Sequence, residues 1–71
     1  MKVKAQDYIP EANFTYPEVC YEIPQRGFYE LVRSVMKGLG ARCLEYNEKS
    51  ARLEAGYGRN RYIRTITLCE G

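Results

Sequence analysis

The sequence predicts an α+β fold: one amphipathic helix on one face of an antiparallel sheet of about four to five strands, in the order β-β-α-β-β-β. Three observations lead there. Phe28, Leu31, Val32, Val35, Met36 and Leu39 recur at helical spacing within one stretch. Segments on both sides of that stretch alternate apolar and polar residues at the period of a strand. Short runs with asparagine and glycine separate the later segments, and strands joined by short turns pair antiparallel. The 71 residues make a single small domain. A chain this short buries only about 60% of the surface its unfolded form exposes, so its margin of stability is small.

Taken in order, a first strand near Val3 to Ala5 has the weakest pattern. In the second, Val19, Tyr21 and Ile23 fall on one side, and Cys20 and Glu22 on the other. The helix is expected over about 25–38. Pro24 suits its entry, where a missing N–H costs little. Gly38 and Gly40 offer the left-handed stop, with Leu39 in the capping turn. The apolar stripe reads as core, because a stripe of that width left exposed would aggregate. Next come Arg42, Leu44 and Tyr46 against Cys43 and Glu45, then Ala51, Leu53 and Ala55 against Arg52 and Glu54. Asn47 and Glu48 turn the chain between these strands, and the span from Gly56 to Asn60 makes the next turn. The segment 61–69 is the richest in β-branched residues. Its register poses a problem. Burying Ile66 and Leu68 gives the larger apolar contact, yet it turns Arg64 inward, to snorkel out near an end or be relieved by a bulge. One helix covers one face of such a sheet and leaves the other to water or a partner.

Composition narrows the function classes. The chain has no histidine, no Cys-x-x-Cys pair and no glycine-rich loop ahead of a helix. Glu22, Glu45 and Glu54 read as a solvent face. The expectation is a non-enzymatic protein with no cofactor and no metal. Cys20, Cys43 and Cys69 are odd in number and far apart, which suits reduced, buried thiols. The polar start, Met1 to Ile9, lacks the apolar core of a signal peptide, and no apolar run approaches a membrane span. A cytoplasmic protein without membrane contact is expected.

A net charge of +2 is too small to argue for bulk polyanion binding, but the charge is uneven: acidic early, basic late. Two stretches stand out. The arm 7–24 holds all three prolines, Tyr8, Phe14, Tyr16 and Tyr21, and no charges besides Asp7, Glu11, Glu18 and Glu22. It either packs on its own domain or presents aromatics to a basic partner. The turn-and-strand 56–64 combines tyrosine with arginine, residue types enriched at protein interfaces. The preferred reading is a regulatory protein of inhibitor or adaptor type, acting by protein–protein contact. Chains of this size that lack catalytic groups often serve so, including ones carried by phages and mobile elements. Its contact residues are expected among Tyr8, Phe14, Tyr16, Tyr57, Arg59, Arg61 and Tyr62, and the composition also allows a homodimer. The alternative is a nucleic-acid-binding accessory protein. In that case Arg52, Arg59, Arg61 and Arg64 would neutralise phosphates, while Tyr57 and Tyr62 stack on bases.

Overall fold

The computed structural model describes residues 1–24 and 27–69, and its one helix packs against an antiparallel sheet. The strands are β1 (Lys2–Ile9), β2 (Phe14–Thr15), β3 (Val19–Glu22), β4 (Arg42–Tyr46), β5 (Ser50–Ala55) and β6 (Tyr62–Leu68). The helix α1 spans Phe28–Leu39. Six strands are thus described, in the order β2-β1-β6-β5-β4, with β3 also on β1. β2 pairs with the last residues of β1 and β3 with the first, so the two lie end to end along one edge. The sheet is therefore five strands across.

The chain order is β-β-β-α-β-β-β, one short strand more than the sequence suggests. Tyr16, Pro17 and Glu18 interrupt what would be one return strand. Proline cannot donate to a ladder, which confines it to sheet edges and irregular points. The arm thus packs on its own domain, as the edge beside β1. The weakest sequence pattern became an interior strand. β1 is built of Lys, Ala, Gln and Asp as much as Val, Tyr and Ile, and it pairs on both sides.

The helix begins at Phe28, inside the expected span, and residues 25 and 26 of that expectation lie outside the described residues. Gly38 does not stop it. The chain turns at Gly40, whose φ of 63° is left-handed, and the Ala41 N–H reaches back to the Met36 carbonyl. Phe28, Leu31 and Val32 are buried against Val3, Ala51, Leu53 and Ile66, with Val35 and Met36 partly covered. Leu39 stays exposed.

The register of β6 is the one that burial favours. Ala5 and Ala51 both stand opposite Ile66, so Ile66 lies under the helix. In β4 the alternation breaks. Cys43 pairs with Leu53, but Glu45 pairs with Arg52, so Leu44 is an extra residue, a β-bulge. Tyr46 then returns to the helix side, where it stacks on Phe28 (6.2 Å between rings) and meets Tyr29 edge-on (5.8 Å). The expected turns form. Asn47 Oδ1 accepts from the Lys49 and Ser50 amides, and Gly56 and Gly58 take positive φ before β6.

The thiols are free, but the expectation that they are buried fails. Cys20 is exposed opposite Lys4 on the face away from the helix, and Cys43 is exposed on the edge strand β4. Only Cys69 is partly covered. An edge strand at the rim of a single-helix layer has too little above it to bury a side chain.

Candidate functional site

The far face of the sheet carries Lys2, Lys4, Gln6, Thr65, Thr67, Arg52 and Glu54 by register, together with Tyr8, Cys20 and Ile63, a mainly polar, solvated face. The helix face differs. Strands lie about 4.8 Å apart, and a helix with its side chains is about 10 Å wide. α1 packs over Ala51 and Leu53 of β5, Ile66 of β6 and Val3 of β1, and leaves β3 half exposed. An open groove remains between α1 and the β3 edge, about 490 Å³ in volume. Its floor is Val3, Ala5 and Ile66, and Leu31 and Val35 form the helix wall. The other wall is Tyr16, Pro17, Val19, Tyr21 and Ile23. Tyr16, Val19 and Tyr21 are each about half exposed.

At one end of the floor stand Asp7 and Arg64, directly opposite each other. Arg64 does not snorkel, and no bulge relieves it. Its Nε and Nη2 donate to the two Asp7 carboxylate oxygens at 2.8 and 2.9 Å, a bidentate pair. The hydrogen bond to Asp7 pushes the guanidinium further up from its ordinary value. The same guanidinium lies 5.6 Å from the centre of the Tyr62 ring. Both charges are thus consumed inside the protein, and the groove presents a mainly apolar surface closed by a neutral pair.

The structure divides the contact residues expected from the sequence. Phe14, Tyr16 and Tyr62 share the helix face with the groove. Phe14 packs edge-on to Tyr16, with ring centres 4.9 Å apart. Tyr8 faces the other way and donates its hydroxyl to Asn13 Oδ1. Tyr57 and Arg59 lie in the β5–β6 turn, Tyr57 at 91% exposure, apart from the groove. Arg61 and Arg42 both bind Glu54, at 2.6 and 2.8 Å. The hydrogen bond from Arg61 chiefly holds the Glu54 carboxyl below its usual range. Arg52 stands 3.9 Å from Glu45. Of the arginines in the nucleic-acid reading, Arg59 alone has no carboxylate partner among the described residues. Pairing of the others lowers the charge free to meet phosphate.

Val3, Ala5 and Asp7 belong to the groove, but the sequence does not mark them as site residues. The alternation of Val19, Tyr21 and Ile23 was legible, and it foretold one apolar side. No local pattern reports that Asp7 meets Arg64, which lies 57 residues along the chain. Among the described residues, no group of three or more metal-ligating side chains comes together, and no helix is long and apolar enough to cross a membrane. No protein-family model, curated protein or solved structure matches the chain.

Proposed function

We propose that this chain is a small non-enzymatic binding protein that acts by contact with another protein, through the groove beside α1. The observation that supports this reading is the half-exposed wall of Tyr16, Val19 and Tyr21 above an apolar floor. Apolar side chains of a small domain gain by leaving water. An open apolar groove walled by aromatics is the surface on which a protein partner does that most effectively. A role as inhibitor or adaptor in the cytoplasm fits a chain with an open apolar groove and no histidine, the commonest general base. Of the residues expected from the sequence, the reading retains Phe14, Tyr16 and Tyr62 as anchors and adds Val19 and Tyr21.

The test is capture of the partner from a lysate of the source cells, with nuclease present. Val19→Asp puts a charge in the groove wall, and Tyr16→Ala removes an anchor. Each should weaken binding by more than about 2 kcal/mol while circular dichroism stays unchanged. A far-face variant, Thr65→Asp, should bind as the parent does. Undiminished capture by both groove variants would sink the proposal, as would capture lost on nuclease treatment.

A further inference from the structure

Resting on the reading of the Tyr16, Val19 and Tyr21 wall as a protein-binding surface, we infer that the partner adds an extended strand to the outer edge of β3. That strand carries apolar side chains on the helix face and basic ones on the far face. The backbone sets the first condition. Met1 and Ile23 exchange both of their hydrogen bonds, each at 2.9 Å. From there β3 runs along β1 to Val19 and Ala5 without a shift of register. Bonded and non-bonded pairs alternate along an antiparallel ladder. Tyr21 and Val19 are therefore bonded to β1, and Glu22 and Cys20 are not. The N–H and C=O groups of Glu22 and Cys20 point away from β1, to a side where none of the described strands lies. Every residue of β3 is exposed. The opposite edge of the sheet is a poorer template. β4 carries the bulge at Leu44, and a bulge interrupts the ladder that an added strand needs.

Side chains set the second condition, and they differ on the two sides of β3. Val19 and Tyr21 stand half exposed on the helix face. Cys20 and Glu22 stand on the far face, across from Lys4 and Lys2. The Glu18 carboxylate reaches that same face, 3.6 Å from Lys4. Glu22 is 68% exposed and 3.8 Å from the terminal amine. Both carboxylates meet their cations on the β1 side, in exposed pairs that hold weakly. An incoming strand places a residue opposite each position, pointing to the same face. Opposite Tyr21 and Val19 an apolar side chain gains by leaving water. Opposite Glu22 and Glu18 a lysine or arginine is favoured, because unlike charges across a ladder attract and like charges repel. The pattern is basic, apolar, polar, apolar, basic, about five residues or 17 Å of strand. Pro17 and Pro24 bracket this stretch, and proline has no N–H to give a ladder. So short an edge holds a partner only where hydrogen bonds and side chains both match. A second copy of this chain is the wrong occupant. β3 set antiparallel against itself brings Glu18 and Glu22 beside the same carboxylates of the other copy, on one face.

The test uses the full chain and capped peptides of about seven residues with the core Lys-Val-Thr-Val-Lys. In the bound register the threonine N–H faces Cys20, and the valine N–H groups face outward. Amide hydrogen exchange and chemical-shift titration read the outcome. The lysine peptide is expected to slow exchange at the Cys20 and Glu22 amides and to shift Val19 and Tyr21. It should bind about tenfold tighter than a peptide with glutamate in place of lysine. A methyl group on the threonine nitrogen should abolish binding, whereas methyl groups on the valine nitrogens should leave it. Glu18→Gln combined with Glu22→Gln should erase the preference for lysine and flatten the salt dependence, with circular dichroism unchanged. Equal binding of the glutamate peptide would overturn the inference. So would indifference to the threonine methyl, protection at β4 in place of β3, or no binding at about 1 mM peptide. Sedimentation of the free chain as a dimer that protects the Cys20 and Glu22 amides would replace the partner strand by a second copy. If these amides stay unprotected while Val19→Asp still abolishes partner capture, strand addition is wrong and the protein-binding reading stands. If partner capture ignores Val19→Asp, that reading falls as well.

Discussion

Arg64 and Asp7 show how one residue's meaning depends on another far along the chain. An arginine turned toward the helix side of a sheet is costly unless its charge is met. Here a carboxylate stands opposite it with both oxygens engaged. The side chains keep 30% and 27% exposure, so water still shares in their solvation. Losing one partner should therefore cost less than the loss of a fully buried ion. Asp7→Ala or Arg64→Ala is expected to destabilise by about 1–3 kcal/mol, measured by urea titration. The double change Asp7→Ala with Arg64→Ala should cost less than the two single losses added together, because it leaves no charge without a partner. Strict additivity would show that the pair does not couple.

The elements carry different shares of the stability. α1 contributes through Phe28, Leu31 and Val32, so Leu31→Ala should cost about 2–5 kcal/mol. Lys37→Ala, on the exposed side, should stay within about 0.5 kcal/mol. Tyr29 falls between them, since its ring meets Tyr46 edge-on while remaining 57% exposed. The β5–β6 turn depends on one backbone position. Gly56 has φ of 82°, and a Cβ there would collide with the Asn60 carbonyl oxygen. Gly56→Ala should lower the denaturation midpoint more than Gly38→Ala, whose added methyl meets open space and favours the helix. The reverse order would contradict the turn described. The edge strand broken at Pro17 leaves the aromatic wall of the groove beside an irregular edge, where none of the described residues covers it.

For the whole molecule, the two faces and the charge pattern decide behaviour. The far face is polar and the helix face is half covered, so association should begin on the helix side. Acid should weaken the fold through Glu54. Its carboxyl lies below the usual range because Arg61 hydrogen-bonds it, with Arg42 adding to the effect. A depressed folded-state value means that the contribution is fully present above the ordinary carboxylate range. It is lost as pH falls through the lowered value. The thermal midpoint should fall on acidification below about pH 4.5, the ordinary value for this group. Glu54→Gln should remove that part of the fall and no other. An identical acid profile in the variant would show that Glu54 is not the group responsible.

The sequence by itself determined the α+β class, the helix stripe, the strands on either side of it, and the two turns after β4 and β5. Each is a local matter: a period of 3.6 or 2, or a residue that tolerates a left-handed backbone. Burial also favoured Ile66 over Ile63, because the apolar area of the two faces can be compared within one strand. Only the tertiary structure decided the rest. β1 became an interior strand although its residues have little strand preference, because β3 and β6 both pair with it. Leu44 bulged and returned Tyr46 to the aromatic cluster on Phe28 and Tyr29. Cys43 was left in solvent because one helix is too narrow to cover the sheet's edge, and Cys20 because it lies on the face away from the helix. The groove has the same cause. No stretch of sequence contains it, because it is the difference between five strands and one helix.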